Sequence, residues 1–376
     1  MPRRIWDLRS NRVVEFRILH SAHLCSQRKP DAIAGQATGG GPSHPHYWAI
    51  SHSWTNDMRA IETSINQYQW PVPRPKGLGL DTRLRSELLR FGAEYIWLDA
   101  LCLRQQGARA QADPKLDDLK KEEWKLDVPT IGNIYRAADR IVRYFNGLGV
   151  QFSPDGWGGD RHWLQRAWTV QEIKTEYTTI NGGVSGSTEY LKSRVLMNTR
   201  GEVGGKEISL RKALLPVLRL SEKVDSSERC GVYELAREMS GRKSSQELDK
   251  LSGLFYLLRT TQLPCYMAKM TPENFWTTSF RLLPTERILE VLFDFPYRGS
   301  DEQWFSTWEQ VMRWPERDSD YDHDSVGPGL NAEFTGHGSL RVRKILSAPD
   351  AELRTTQSSA EYDVLIRGRY FGFYTP

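Results

Sequence analysis

Two periods alternate along the first half of the chain. Short runs rich in apolar, aromatic and β-branched residues stand at 47–51 (YWAIS), 95–103 (YIWLDALCL), 140–145 (RIVRYF) and 177–180 (YTTI). Runs of this length and composition read as buried strands. Between them, apolar residues recur at helical spacing. Met58, Ile61, Ile65 and Tyr68 predict a helix capped by Asp57, with PVPRPKGLG as its stop. Leu84, Leu88 and Phe91 predict a second helix, and Ile131, Ile134, Tyr135 and Ala138 a third, opened by Pro129. The charged stretch 107–123 predicts an exposed loop and helix. A Gly-rich loop, NGLGVQFSPDGWGGD, leads into a further predicted helix around WLQRAWTVQEI. Strands alternating with amphipathic helices predict an α/β domain whose mostly parallel sheet is covered on both faces.

The pattern changes after about residue 183. Helices are expected at 207–222 and at 245–259, where Leu248, Leu251, Phe255 and Leu258 share a face. The second opens with SSQE, a capping box from Ser244 to Glu247. Thr271 and Pro272 cap another helix that runs to Pro284. EYDVLIRGRYFGFY near the end alternates like strands. Glycines cluster at 182–186 and 201–205. The organisation expected is therefore an N-terminal extension and loop at 1–44, an α/β domain at 45–185, and a mainly helical region with terminal strands at 205–376.

Composition narrows the function classes. Hydrophobic residues make up 39% of the 376 and charged residues 26%, a globular balance rather than a disordered one. A net charge of +4 on so long a chain is too slight to argue for nucleic acid. No window approaches the run of about 18 apolar residues that a membrane helix needs. The basic start has no apolar stretch behind it, so no secretory signal is expected. Cys25, Cys102, Cys230 and Cys265 form no CxxC pair and read as reduced thiols of the cytosol or nucleus, and a cytoplasmic location is expected. No metal site is expected, since His20 with His23 and His44 with His46 lack cysteine or carboxylate partners at ligand spacing. The glycine runs fit neither a Walker loop nor GxGxxG.

Three blocks carry a resemblance. The first is Tyr47-Trp-Ala-Ile-Ser51-His52-Ser53-Trp54. The second holds Tyr95, Trp97, Asp99, Leu101, Cys102 and Gln105, followed at fixed spacing by Trp124, Asp127, Ile131, Ile134, Tyr135 and Ala138. The third holds Arg166, Trp168, Thr169, Gln171 and Glu172. In this order and spacing, residues 47–173 resemble the fungal heterokaryon-incompatibility (HET) domain. RKSSQELDKLSGLFYLL further on resembles a segment that often follows that domain. The chain departs from the pattern at His52, Ser53 and Thr55, where an aromatic, a small residue and glycine are usual. It departs again at Gln106, Asp127 and Ile131.

The HET domain is similar to the TIR domain, which implies a TIR-like three-layer fold. TIR enzymes use the glutamate of a helical WxxxE arrangement to cleave NAD, and Trp168 to Glu172 has that spacing. The resemblance thus implies Glu172 as the catalytic carboxylate and NAD as a substrate rather than a cofactor. Ser51, His52, Ser53, Trp54, Asp99, Arg166 and Trp168 are the implied binding residues. The implied role is non-self recognition ending in regulated cell death, with self-association into a homo-oligomer and a non-self or regulatory protein partner. A second reading of the same residues is structural. Glu172 then pairs with an arginine, the tryptophans fill the core, Arg166 anchors an ion pair and Asp99 caps a turn. In that case the domain signals by association alone. A third reading joins Cys102, His52 and Asp99 as a thiol hydrolase.

Overall fold

The computed structural model describes residues 1–27, 45–106, 114–150, 162–173, 179–183, 231–260, 262–267, 269–293, 305–313, 330–334 and 340–344. The chain divides into two compact units. The first is Met1–Ser227 with Arg242–Ser244 and Cys265–Met267. The second is Glu228–Gly241, Ser245–Pro264 and Ala268–Pro376.

The first unit is α/β. Its strands are β1 (Arg4–Asp7), β2 (Arg12–Glu15), β3 (Trp48–His52), β4 (Met58–Ile61), β5 (Val72–Pro75), β6 (Tyr95–Trp97), β7 (Arg140–Tyr144) and β8 (Thr179–Asn181). Six of them form one sheet in the order β2-β1-β6-β3-β7-β8. β6, β3, β7 and β8 run parallel, and β1 and β2 are antiparallel additions. Among the described residues its α-helices are α1 (Phe16–Gln27), α2 (Arg85–Arg90, after a π-helical turn at Leu80–Leu84), α3 (Asp99–Cys102), α4 (Pro114–Asp127) and α5 (Ile131–Ala137). Ala49 to His52 on β3 and Ile141 to Tyr144 on β7 are buried at every position. Burial of both faces is why these strands read as continuous apolar runs rather than alternating ones.

Four local expectations are corrected. Residues 58–68 are not a helix: β4 pairs antiparallel with β5, Met58 opposite Pro75 and Ile61 opposite Val72. Gln67 and Tyr68 take left-handed φ values of 55° and 59°, which a right-handed helix cannot include. Asp57 does not cap there; its carboxylate accepts the Thr55 hydroxyl at 2.5 Å. The run 95–103 is a strand only to Trp97. The Asp99 carboxylate accepts the Ala100 N–H at 2.6 Å and starts a helical turn, closed by Cys102 N–H to Leu98 O at 2.7 Å. The residues expected as an N-terminal extension build β1, β2 and α1.

The fourth correction concerns 163–172, which forms two 3₁₀ turns, Trp163–Gln165 and Trp168–Val170, instead of an α-helix. Its backbone is engaged from outside. Lys243 N–H donates to Gln165 O at 2.5 Å, Ala167 N–H donates to Lys243 O at 2.9 Å, and Arg242 Nη1 donates to Arg166 O at 2.9 Å. The Thr169 hydroxyl lies 2.7 Å from both Trp163 O and Arg166 O. The Ala167 N–H, given to Lys243 O, is not available to Trp163 O, so the i→i−4 bond of an α-helix is not made there.

The second unit contains α6 (Val232–Ser240), α7 (Glu247–Leu257), α8 (Pro272–Ser279), α9 (Thr285–Phe293), α10 (Trp308–Arg313) and a hairpin of β9 (Leu330–Phe334) with β10 (Leu340–Lys344). Trp276 is its aromatic centre, within 6.4 Å of Phe255, Phe280, Phe305 and Trp308. Thr271 caps α8 as expected, accepting from Asn274 N–H at 3.2 Å. The box at the start of α7 is shifted: Asp249 accepts from Gln246 N–H at 3.3 Å. The helix expected at 207–222, the terminal strands and the boundary at 185–205 lie outside the described residues. Among the described residues, no helix is long and apolar enough to cross a membrane.

One ion cluster ties β1 to α4. Arg4 grips Glu123 with both ends of its guanidinium, at 3.0 and 2.5 Å, and Arg104 Nε lies 3.4 Å from the same carboxylate. Both guanidinium groups stand 4.9 Å from the ring centroid of buried Trp70. One carboxylate thus serves two nearly buried cations. Glu123→Ala is expected to cost about 3 kcal/mol in urea unfolding, because it leaves both cations uncompensated. A loss within about 0.5 kcal/mol would mean that the cluster is solvated.

Candidate functional site

The order of the parallel strands fixes where a ligand can sit. From β3 the chain passes to β6 on one side, then crosses to β7 on the other side and on to β8. The topological switch therefore falls between β3 and β7, and open α/β sheets bind ligands outside the carboxyl ends at such a point. Ser51 and His52 end β3, Asp99 follows β6, and Trp163 and Glu172 lie in the segment after β7.

Successive residues of β3 face opposite sides of the sheet, and they serve two different clusters. Ser51 Oγ donates to Glu172 Oε2 at 2.5 Å and accepts from Trp163 Nε1 at 2.6 Å. The Tyr135 hydroxyl, on α5, also lies near Glu172, and it donates to Ile50 O at 2.7 Å. Glu172 is 8% exposed. Burial pushes its carboxyl up to about 8; the nearby Asp99 charge adds to this, while Ser51, His52 and Tyr135 oppose it. The group is therefore mainly protonated at neutral pH.

His52 serves the other cluster. Its Nε2 lies 2.8 Å from Asp99 Oδ1, and its Nδ1 lies 3.2 Å from Ser53 O. A carbonyl and an ionised carboxylate both only accept, so this pair of partners favours a ring with hydrogen on both nitrogens, the imidazolium form. Burial alone would lower the His52 pKa. The Asp99 charge and hydrogen bond reverse this and leave it raised. Asp99 is likewise driven up by burial but ends lowered, held by His52, Trp54 and the Ala100 N–H. Trp54 closes the group: its Nε1 donates to Asp99 Oδ2 at 3.0 Å, and its ring stacks on His52 at 6.2 Å.

The residues read from the sequence thus separate. Ser51 and Glu172 meet in one contact, and His52, Trp54 and Asp99 in another. Ser53 Oγ and both amide atoms of Gln171 are buried with no hydrogen-bond partner among the described residues. Trp168 is half-buried and tilted against Tyr266 at 6.4 Å. The i, i+4 α-helical face it was expected to share with Glu172 is absent, because the segment is a 3₁₀ turn and not an α-helix. Arg166 enters through its carbonyl, which takes Thr169 and Arg242. Cys102 does not join His52 and Asp99: its thiol points at Ile96 O, 3.9 Å away, and burial pushes it up to about 12. So protonated a thiol is no nucleophile, and the hydrolase reading falls. Trp163 and Tyr135 are participants the sequence reading missed. The usable signal was chemical: a buried Tyr or Trp needs a partner for its polar tip.

Two substitutions test this geometry. Gln171→Met is expected to stabilise the protein by about 1 kcal/mol, since it removes unsatisfied buried amide atoms. A lower Tm would contradict that. Glu172 binds a proton more tightly folded than unfolded, so its contribution is fully present below about pH 4.5 and is lost as pH rises to about 8. Wild type minus Glu172→Gln should therefore decline across that window by about 1.4 kcal/mol per pH unit and level off above it. A difference flat with pH would mean an ordinary, exposed carboxylate.

Comparison with models of known protein families, with curated proteins and with solved structures gives no match to this chain.

Proposed function

We propose that the carboxyl edge of the sheet binds NAD and that the domain hydrolyses its bond between nicotinamide and ribose. The observation that carries this reading is the buried Glu172 carboxyl, hydrogen-bonded to Ser51 at the strand switch and beside the His52–Asp99 ion pair. Nicotinamide leaves NAD as a neutral base, so no general acid is required. The work is to stabilise an oxocarbenium-like ribose and admit one water to C1′, giving ADP-ribose, nicotinamide and a proton. A carboxylate beside the ribose does the first. Trp54, stacked on His52 beside this edge, would supply an aromatic wall. Since Glu172 is 8% exposed, substrate entry requires the chain around it to open, and the Trp54 loop after β3 is the proposed moving part.

The protonation state sets the pH dependence. Glu172 must be ionised to stabilise the ribosyl cation. Cleavage should therefore rise with pH, with kcat/KM reporting a free-enzyme midpoint near 8. A profile that falls between pH 6 and 8.5 would oppose a carboxylate at the centre.

The proposed biological setting is that of the HET resemblance: a cytoplasmic, TIR-like domain that self-associates when a non-self partner is met and then ends the cell. A second reading has its own support. The carboxyl of Glu172 is satisfied inside the fold by Ser51, as a structural residue would be. On that reading the domain signals by association and cleaves nothing. Cells expressing matched levels of the wild type and Glu172→Ala, each also under forced oligomerisation, separate the two. NAD loss and death with the wild type alone favour the enzyme; equal death with NAD unchanged favours association.

A further inference from the structure

We propose that Ser51 and Trp163 are positioning residues for Glu172, joined in a one-way hydrogen-bond chain that delivers a single fixed hydroxyl hydrogen to Oε2. The inference rests on the reading of Glu172 as the working carboxylate, but its geometry stands apart from any reaction.

Donor and acceptor chemistry fixes the direction. An indole N–H can only donate. Ser51 Oγ must therefore accept from Trp163 at 2.6 Å, which leaves its only hydrogen for Glu172 at 2.5 Å. Ser51 is 0% exposed and Trp163 1%, so water does not compete for either bond. Trp163 is itself held. Its backbone N–H donates to Phe145 O at 3.2 Å, its carbonyl accepts the Thr169 hydroxyl at 2.7 Å, and its ring stands edge-on to Phe145 at 5.5 Å. The Arg143 guanidinium lies 5.3 Å from the indole centroid. A cation over the ring draws electron density from it and strengthens the N–H as a donor.

Three elements meet in this chain: the end of β3, the first 3₁₀ turn after β7, and the end of the second. The consequence for Glu172 is geometric and electrostatic. One carboxyl oxygen is committed to Ser51, which leaves Oε1 to interact elsewhere. The donated hydrogen also favours the ionised form against the cost of burial, so the carboxylate becomes accessible near neutral pH rather than far above it.

The test is a titration of the Glu172 carboxyl by NMR on the full chain carrying 13C-labelled glutamate, with Glu172→Gln for assignment. Ser51→Ala should raise the midpoint by about one unit, a tenfold gain in proton affinity. Trp163→Phe should raise it by a smaller amount, and Ser51→Thr, which keeps the hydroxyl, should restore it. Where NAD cleavage is measurable, the acidic limb of kcat/KM should move in parallel. Midpoints unchanged in folded Ser51→Ala and Trp163→Phe would overturn the proposal; should Ser51→Ala fail to fold, Trp163→Phe decides it alone. A shifted midpoint in a chain that cleaves no NAD would uphold the positioning and sink only the enzyme reading.

Discussion

The hydrogen bond between Ser51 and Glu172 exists because a carboxyl has been carried into the interior of a sheet buried on both faces. A lone carboxylate there would cost several kcal/mol. The fold manages this by keeping the group mainly protonated at neutral pH and giving it a hydroxyl donor that is itself aimed by an indole. Beside it stands a second pair, buried His52 with half-buried Asp99, in which each group favours the charged form of the other and Trp54 and the Ala100 N–H add to the hold on Asp99. One cluster avoids charge and the other pairs it, and both hang on neighbouring residues of β3.

Placing Glu172 there depends on structure that comes from elsewhere in the chain. Arg242 and Lys243 take up carbonyls of Gln165 and Arg166, and that engagement keeps 163–172 as two tight turns. Were the segment an α-helix, Trp163 and Glu172 would lie nine residues and about 13 Å apart along its axis, and one serine could not bridge them. The tight turns are what bring the indole and the carboxyl to the same hydroxyl.

Much of the frame was legible in the sequence because buried parallel strands leave a strong mark. The runs around Ala49, Ile96, Val142 and Ile180 each form strands of the sheet. Legibility failed where tertiary partners override local pattern. Met58 and Ile61 have helical spacing but pair in a ribbon with Val72 and Pro75. WxxxE has helical spacing but is held in 3₁₀ turns by residues some 75 positions away, which no local window can see. Ser51 and Glu172 were singled out separately, on a resemblance; nothing in their spacing announced that they touch. Trp163 passed unnoticed because its role lies in the polar edge of a ring that otherwise reads as core.

The central claim is that the carboxyl edge beside Glu172 is where a ribose is held. A crystal structure of the chain with a non-cleavable NAD analogue tests it most directly. The expected complex has the nicotinamide-side ribose with C1′ roughly 3–3.5 Å from a Glu172 oxygen, and the loop after β3 displaced from its position over Asp99. An analogue bound anywhere else, with Ser51, Trp163 and Glu172 still locked together and Trp54 unmoved, would contradict it.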